Sequence, residues 1–376
     1  MTLVEAQPRF TWRSIVERLG PLLALIVLII LTAACEKWTR GTTAFLKPEN
    51  WGNILRQWSF VGIIAIGMTF VIISGGIDLS VGSLVALAGG LGMWLMNTAI
   101  TAARIIADND AARKQRLDDL AMGIDMPLAL PFSASREWLA RSFTSMHLGG
   151  SETSGIAIAF VSIVLIGLLC GWINGLLVAR GRLAPFIATL GTMAAFRSII
   201  MSLLDGSEIR SDSANLFRVP GSGPWPAVTF FAIVILAAIL LRLTRYGRYV
   251  IAIGANERAA IYSAVNVDRV KLLTYILSGG CCGIAALLLA SRMNSIASAS
   301  AGGLYELDAI AAVAIGGTRM RGGSGSIVGT VVGVLILGVI GNMLGILNVS
   351  PYLQGLVKGA IIIAAVLVQR VNRQRD

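Results

Sequence analysis

The chain has 376 residues, of which 56% are apolar and only 14% charged, against roughly 25% charged in a soluble domain. That balance excludes a water-soluble globular fold and requires a polytopic membrane protein. The formal charge of +11 is not a nucleic-acid footprint, because the Arg residues lie in short loops between apolar runs and act as orientation signals. Cys35, Cys170, Cys281 and Cys282 fall in or beside apolar segments without metal-type spacing and read as small core residues.

Arg9, Arg13 and Arg18 precede the apolar run Pro21 to Ala34. The stretch Leu31-Thr-Ala-Ala-Cys35 faintly resembles a lipoprotein cleavage site, but Thr32 is atypical there, so the segment is read as a retained membrane anchor. Apolar stretches near the roughly 20 residues needed to cross a bilayer, together with shorter broken ones, recur at about 19–35, 59–75, 80–99, 155–178, 183–204, 226–242, 271–291, 306–318, 325–345 and 352–369. The expected fold is therefore all-α, with about ten transmembrane helices, in a single transmembrane domain over 1–376.

The second and third of these stretches frame the most informative feature. Residues 59–77 carry no charge, Gly75 and Gly76 interrupt the helix, and Asp78 then stands between two apolar runs. An acid at that depth is costly unless a helix terminus or a protein interior holds it, and Asp78 is placed to cap a helix restarting at Leu79. A broken helix is tolerated in a membrane only where protein or a water-filled cavity surrounds it, which points to transport.

With the N-terminus inside, the basic residues Arg180 and Arg182, then Arg242, Arg245, Arg248, Arg258, Arg269 and Lys271, then Arg319 and Arg321, and finally Arg370, Arg373 and Arg375 all fall on the cytoplasmic side. Both termini are expected there. One loop dissents, since Lys37, Arg40, Lys47 and Arg56 would lie outside. Small residues recur four apart at Gly171 and Gly175, Gly279 and Gly283, Gly329 and Gly333, Gly341 and Gly345, and Gly355 and Gly359. Such spacing brings helix backbones close, either within one chain or against a second subunit.

Several stretches in order along the chain carry a family likeness: Asn53-Ile-Leu-Arg56 with Ile66-Gly-Met-Thr-Phe-Val-Ile72; Ser74-Gly-Gly-Ile-Asp-Leu-Ser-Val-Gly-Ser83; Ala184-Pro-Phe-Ile-Ala-Thr-Leu-Gly-Thr192; Asn266-Val-Asp-Arg-Val-Lys-Leu-Leu-Thr-Tyr-Ile-Leu-Ser-Gly279; and Tyr305-Glu-Leu-Asp-Ala-Ile-Ala-Ala312 with Ile315-Gly-Gly-Thr318 and Gly322-Gly323. They resemble the branched permease subunits of bacterial ABC importers for ribose, xylose and galactose. The resemblance implies an inner-membrane permease, a second permease subunit beside it as a homo- or heterodimer, a cytoplasmic ATPase subunit and a periplasmic sugar-binding protein, with the sugar path near the permease interface. Membrane lipid is the remaining partner, and no cofactor is expected on this chain. The residues agree on one point independently: no G-x-x-x-x-G-K-[ST] motif occurs, so energy must come from a partner or an ion gradient.

The longest inside loop, about 243–270, is the natural coupling element. Within it Gly254, Asn256, Glu257, Ala260 and Ala264 fall in a stretch with helical spacing that suits a short amphipathic helix in a partner's groove or on the lipid surface. The outside segment at about 101–154 is longer than the family pattern. It shows helical patterns from Ala102 to Met122 and around Trp138, Leu139, Phe143 and Met146, and holds the single His, His147. It reads as a solvated decoration or as a cap that contacts the binding protein. Arg319 and Arg321 are more basic than the pattern leads one to expect.

Candidates for a sugar path must be polar or aromatic and lie within spans: Asp78, Ser80, Asn174, Thr189, Thr192, Asn342, Phe70, Trp172 and Phe196. Each polar member could equally bond a neighbouring helix, and Glu306 and Asp308 read as helix N-terminal acids. An ion-coupled secondary transporter is the alternative, but it would show several buried ionisable groups, and only Asp78 and Lys358 qualify. A membrane enzyme has little to assemble from, with one His, no H-E-x-x-H and no G-x-S-x-G.

Overall fold

The computed structural model describes residues 12–360 apart from 42, 103, 107, 109, 111–130, 214, 351–352 and 358. Its helices are α1 Trp12–Arg40, α2 Pro48–Ile73, α3 Val81–Ile100, α4 Pro131–Ser145, α5 Glu152–Ala179, α6 Pro185–Leu203, α7 Trp225–Leu243, α8 Arg245–Ala255, α9 Glu257–Tyr262, α10 Val267–Met293, α11 Tyr305–Ile315 and α12 Ile327–Ile346. Eight of the described helices are long and apolar enough to cross a membrane. The expected span 306–318 is α11, whose 11 residues rise only about 16 Å against a hydrocarbon core of about 30 Å. The expected span 352–369 lies mostly outside the described residues, as do Lys358 and the greater part of the 102–122 pattern.

Three of the four dissenting basic residues have local roles. Lys37 and Arg40 occupy the last turn of α1, where positive charge complements the helix dipole. Arg56 lies within α2 and donates to Gly52 O and Asn53 Oδ1. Helix α2 starts well before the predicted 59, with Pro48 in its first turn beside Glu49, both favoured at a helix start. The turn between α1 and α2 is fastened by Glu36, a buried acid whose two oxygens accept from the amides of Ala44 at 3.0 Å and Phe45 at 2.9 Å.

The chain divides into two compact units, one of residues 1–77, 227–274 and 305–376, the other of residues 78–226 and 275–304. In the first, α12 packs on α2 and α11 through small residues. A Cβ at Gly333 would overlap Ala312 O and one at Gly329 would overlap Gly316 O, while Gly338 leaves room for Ile54 and Trp58. Thr69 and Thr330 hydroxyls meet at 2.8 Å, and Asn50 and Asn342 exchange amide hydrogen bonds at 3.0 and 2.9 Å.

In the second unit, α3 is the central helix, buried along most of its length by α5 and α6. Helices α5 and α10 touch backbone to backbone, since a Cβ at Gly171 would overlap Tyr275 O and one at Gly279 would overlap Gly167 O. Gly171, Gly279 and Gly283 of the two repeats therefore serve close approach within this chain, the van der Waals packing that drives helix association in lipid. Cys170, Cys281 and Cys282 are buried here as expected.

The loops 205–224 and 292–308 hold a feature too short to see in the sequence. Strands β1 Glu208–Arg210 and β2 Ser295–Ala297 pair antiparallel, with Ile209 opposite Ile296. Asn97 near the end of α3 pins this ribbon by donating to Arg210 O at 2.7 Å and accepting from Asp212 N at 3.0 Å. In the 101–154 segment, α4 carries Trp138, Leu139 and Phe143, with Met146 just beyond its end, and Arg141 bridges Asp110 and Glu137 at 2.6 and 2.8 Å. These ions are exposed, so the bridges add little stability.

Candidate functional site

The interruption between α2 and α3 is built from its backbone outward. Helix α2 closes with Ser74 as its cap, Gly75 N donating to Ile72 O and Gly76 N to Val71 O, both at 2.9 Å. This is the Schellman arrangement, which needs a left-handed residue after the cap; Gly75 supplies it with φ +87°. Leu79 and Ser80 then form a turn before α3 begins.

Asp78 is fully buried. Its Oδ1 accepts from the Ser80 amide at 3.0 Å and the Ser80 hydroxyl at 2.7 Å, and Ser278 of α10 donates to Oδ2 at 3.5 Å. The bond to an amide two residues on closes an Asx turn. The cap position of α3 is Ser80, whose side chain makes no capping bond, so Asp78 secures the turn ahead of α3 instead of capping a helix from Leu79 as expected. The chain of bonds continues. Asn174 Nδ2 of α5 donates to Ser80 Oγ at 2.7 Å, and Thr192 Oγ1 of α6 donates to Asn174 Oδ1 at 2.7 Å. Four of the residues chosen from sequence thus form one buried network joining α3, α5 and α6.

The remaining candidates divide. Thr189 is buried and donates to Pro185 O at 2.8 Å, while its own carbonyl accepts from Thr192, so it joins the network through backbone. Phe196 is buried one turn beyond Thr192. Trp172 is 45% exposed on the outer face of α5. Phe70 and Asn342 belong to the other unit, Phe70 stacked at 6.2 Å on Tyr246 and Asn342 paired with Asn50. Sequence reading passed over Ser278, whose one signal was a hydroxyl in mid-span.

Chemically, the network is an alternation of donors and acceptors that satisfies itself. Burying a carboxylate is tolerable only when hydrogen bonds replace water, and hydroxyls and an amide supply them here. The arrangement braces the start of α3 against two neighbouring helices.

The second cluster from sequence is the 243–270 segment, which folds as α8 and α9. Thr244 caps α8 by accepting from Gly247 N at 3.2 Å, and Asn256 caps α9 by accepting from Ala259 N at 3.1 Å. Glu257 accepts from Lys271 at 2.7 Å. Ala260 is turned inward and buried, and Ala264 takes a left-handed φ of +59° after the helix. Glu257, Arg258, Ala259, Ile261 at 55% and Tyr262 at 88% are the exposed residues of α9, with Ile261 and Tyr262 its large apolar ones.

The brace gives a direct expectation. Asp78→Ala removes the acceptor for the buried Ser80 amide and is expected to cost about 1–3 kcal/mol, read as a lower melting temperature of the purified protein. Asp78→Asn retains an acceptor and should lose clearly less. Equal losses in the two variants would show that the charge, not the hydrogen bond to Ser80, is what the fold requires.

Comparison with known proteins identifies the family. A family model described as the permease component of branched-chain amino acid transport systems matches residues 50–366. The ribose import permease protein RbsC of Bacillus subtilis (strain 168) is 38% identical, covering 97% of this chain and 96% of its own. That of Escherichia coli (strain K12) is 36% identical, covering 92% of each. The xylose transport system permease protein XylH of Escherichia coli (strain K12) is 31% identical over 94% of this chain and 92% of its own. No solved structure matches the chain. With an all-α, multi-pass architecture and a family match over most of its length, the chain belongs to the permease-component family of branched-chain transport systems, as a transport subunit rather than an enzyme.

Proposed function

We propose that the chain forms the translocation path of an ATP-driven importer for a monosaccharide delivered by a periplasmic binding protein. The observation that carries this reading is similarity along nearly the whole chain to permeases named for two different pentoses, ribose and xylose. In this reading residues 1–376 are one permease domain in a bacterial inner membrane, with both termini cytoplasmic, the 101–154 segment periplasmic and 243–270 the coupling loop. Asp78, Ser80, Asn174 and Thr192 shape the path by holding the broken helix in place.

A second permease subunit has a surface to meet. On α6, Gly191, Ala194, Ala195 and Ser198 are exposed in a row of small residues flanked by Ile187, Leu190 and Ile199, the type of face on which helices associate in lipid. The ATPase subunit has another in Arg258, Ile261 and Tyr262 of α9, an aromatic and an aliphatic anchor beside a charge, as short helices present to a groove.

The reading is tested in proteoliposomes holding this chain with its ATPase, supplied with binding protein and labelled ribose or xylose. Uptake should require ATP and persist when proton and sodium gradients are collapsed. Loss of uptake on collapsing a gradient, with ATP present, would replace this mechanism by ion coupling.

Tyr262→Ala is expected to weaken ATPase co-purification by about 2 kcal/mol, roughly thirtyfold in affinity, as for an aromatic interface anchor. Glu257→Ala, which breaks an exposed intrachain ion pair, should change it by less than about 1 kcal/mol. The reverse ranking would move docking away from the outward face of α9.

Orientation is tested by a Cys at Met146, which is exposed just beyond α4, after replacement of the native thiols. A membrane-impermeant thiol reagent should label it from the periplasmic face only. Labelling from the cytoplasmic face would invert the topology.

A further inference from the structure

Helix α2 leaves one carbonyl unused by its own cap. Val71 O and Ile72 O accept from Gly76 and Gly75, but Ile73 O accepts from Gly323 N of the loop after α11, at 2.9 Å. The terminal carbonyls of a helix must find partners, so this loop completes the end of α2. The loop is itself closed by Arg319 N to Ser324 O and Gly322 N to Arg319 O, each at 3.0 Å.

A third segment enters the same point. A Cβ at Gly254, at the end of α8, would overlap Ile73 O and lie 2.5 Å from Gly323 N. A Cβ at Gly322 would stand 3.0 Å from Gly254 O, Gly75 N and Ile73 O, and one at Gly323 would stand 2.7 Å from Ala255 Cα. Gly322 and Gly323 also hold φ of +90° and +79°, where other residues are strained. Three backbones therefore meet with no side chain between them, all within one unit.

The position of this junction gives it a role. Gly254 lies two residues before Asn256, the cap of α9, and Ile73 lies five residues before Asp78. We infer that Gly254, Gly322 and Gly323 are positioning residues for energy coupling, passing displacement of α9 to the end of α2, and so to the interrupted segment, through direct backbone contact. Side chains can absorb a small displacement by changing rotamer, whereas contacting backbones cannot. This inference rests on the proposal that α9 docks on an ATPase.

Two experiments test it. Gly254→Ala should still retain the ATPase on an affinity column yet lose binding-protein-stimulated hydrolysis by about tenfold, within the usual range of coupling energies. Gly345→Ala, at an exposed site with no atom within 4 Å of the added methyl, should match the unmodified protein. Full stimulation in a folded Gly254→Ala variant overturns the inference. Hydrogen exchange on the unmodified protein, with and without ATPase, needs no substitution. Docking should change protection of 254–266 together with the peptides covering 70–76 and 319–325. Protection confined to 254–266 overturns the junction's role while leaving docking intact, and no change at 254–266 overturns docking and this inference with it.

Discussion

An amide or carbonyl buried in protein has no water to turn to, so a helix that stops inside the fold must complete its own hydrogen bonds. The break at Ser74–Ser80 meets this demand twice. On its first side Gly75 and Gly76 fold back onto α2 and Gly323 takes the last carbonyl. On its second side the Asp78 carboxylate takes the Ser80 amide. The glycines, the acid and the hydroxyls around it are consequences of that single requirement. They gather at the break because polar groups there have fixed work to do.

The same requirement explains how the remainder of each unit is built. Helices that meet in lipid gain little from hydrophobic transfer, so they gain from close contact instead. Glycine at Gly167, Gly171, Gly279 and Gly333 lets carbonyls touch the neighbouring backbone, and pairs such as Asn50 with Asn342 and Thr69 with Thr330 add directional bonds between α2 and α12. The polar residues in spans therefore fall into two groups. Some, like Asn342, fasten one helix to another; others, like Asn174, belong to the network around the break.

Much of this was legible in the sequence because membrane helices are written in runs of hydrophobicity. The interruption, its acid and three other members of the network were identifiable from a charge-free stretch, a glycine pair and polar residues at mid-span. The separation of Asn342 and Phe70 from that network was not, since spacing along a helix gives a face but not the helix it meets. Ser278 was missed for the same reason. The inward turn of Ala260 followed from a six-residue helix too short to show a clear apolar stripe, and β1 and β2, at three residues each, leave no pattern at all. The early start of α2 was hidden because its first turns carry charge outside the apolar run, while Pro48 and Glu49 were the local signal for it.

The segment between α3 and α5 leaves and rejoins the fold at nearly one point, because Gly150 N donates to Ala99 O at 2.9 Å. The cost of closing a loop grows only with the logarithm of its length, so about fifty residues placed there burden the fold scarcely more than a handful would. Changes of length in this segment are therefore cheap in chain entropy, and what ties its sequence to the fold is the contact α4 makes through the buried Ala140.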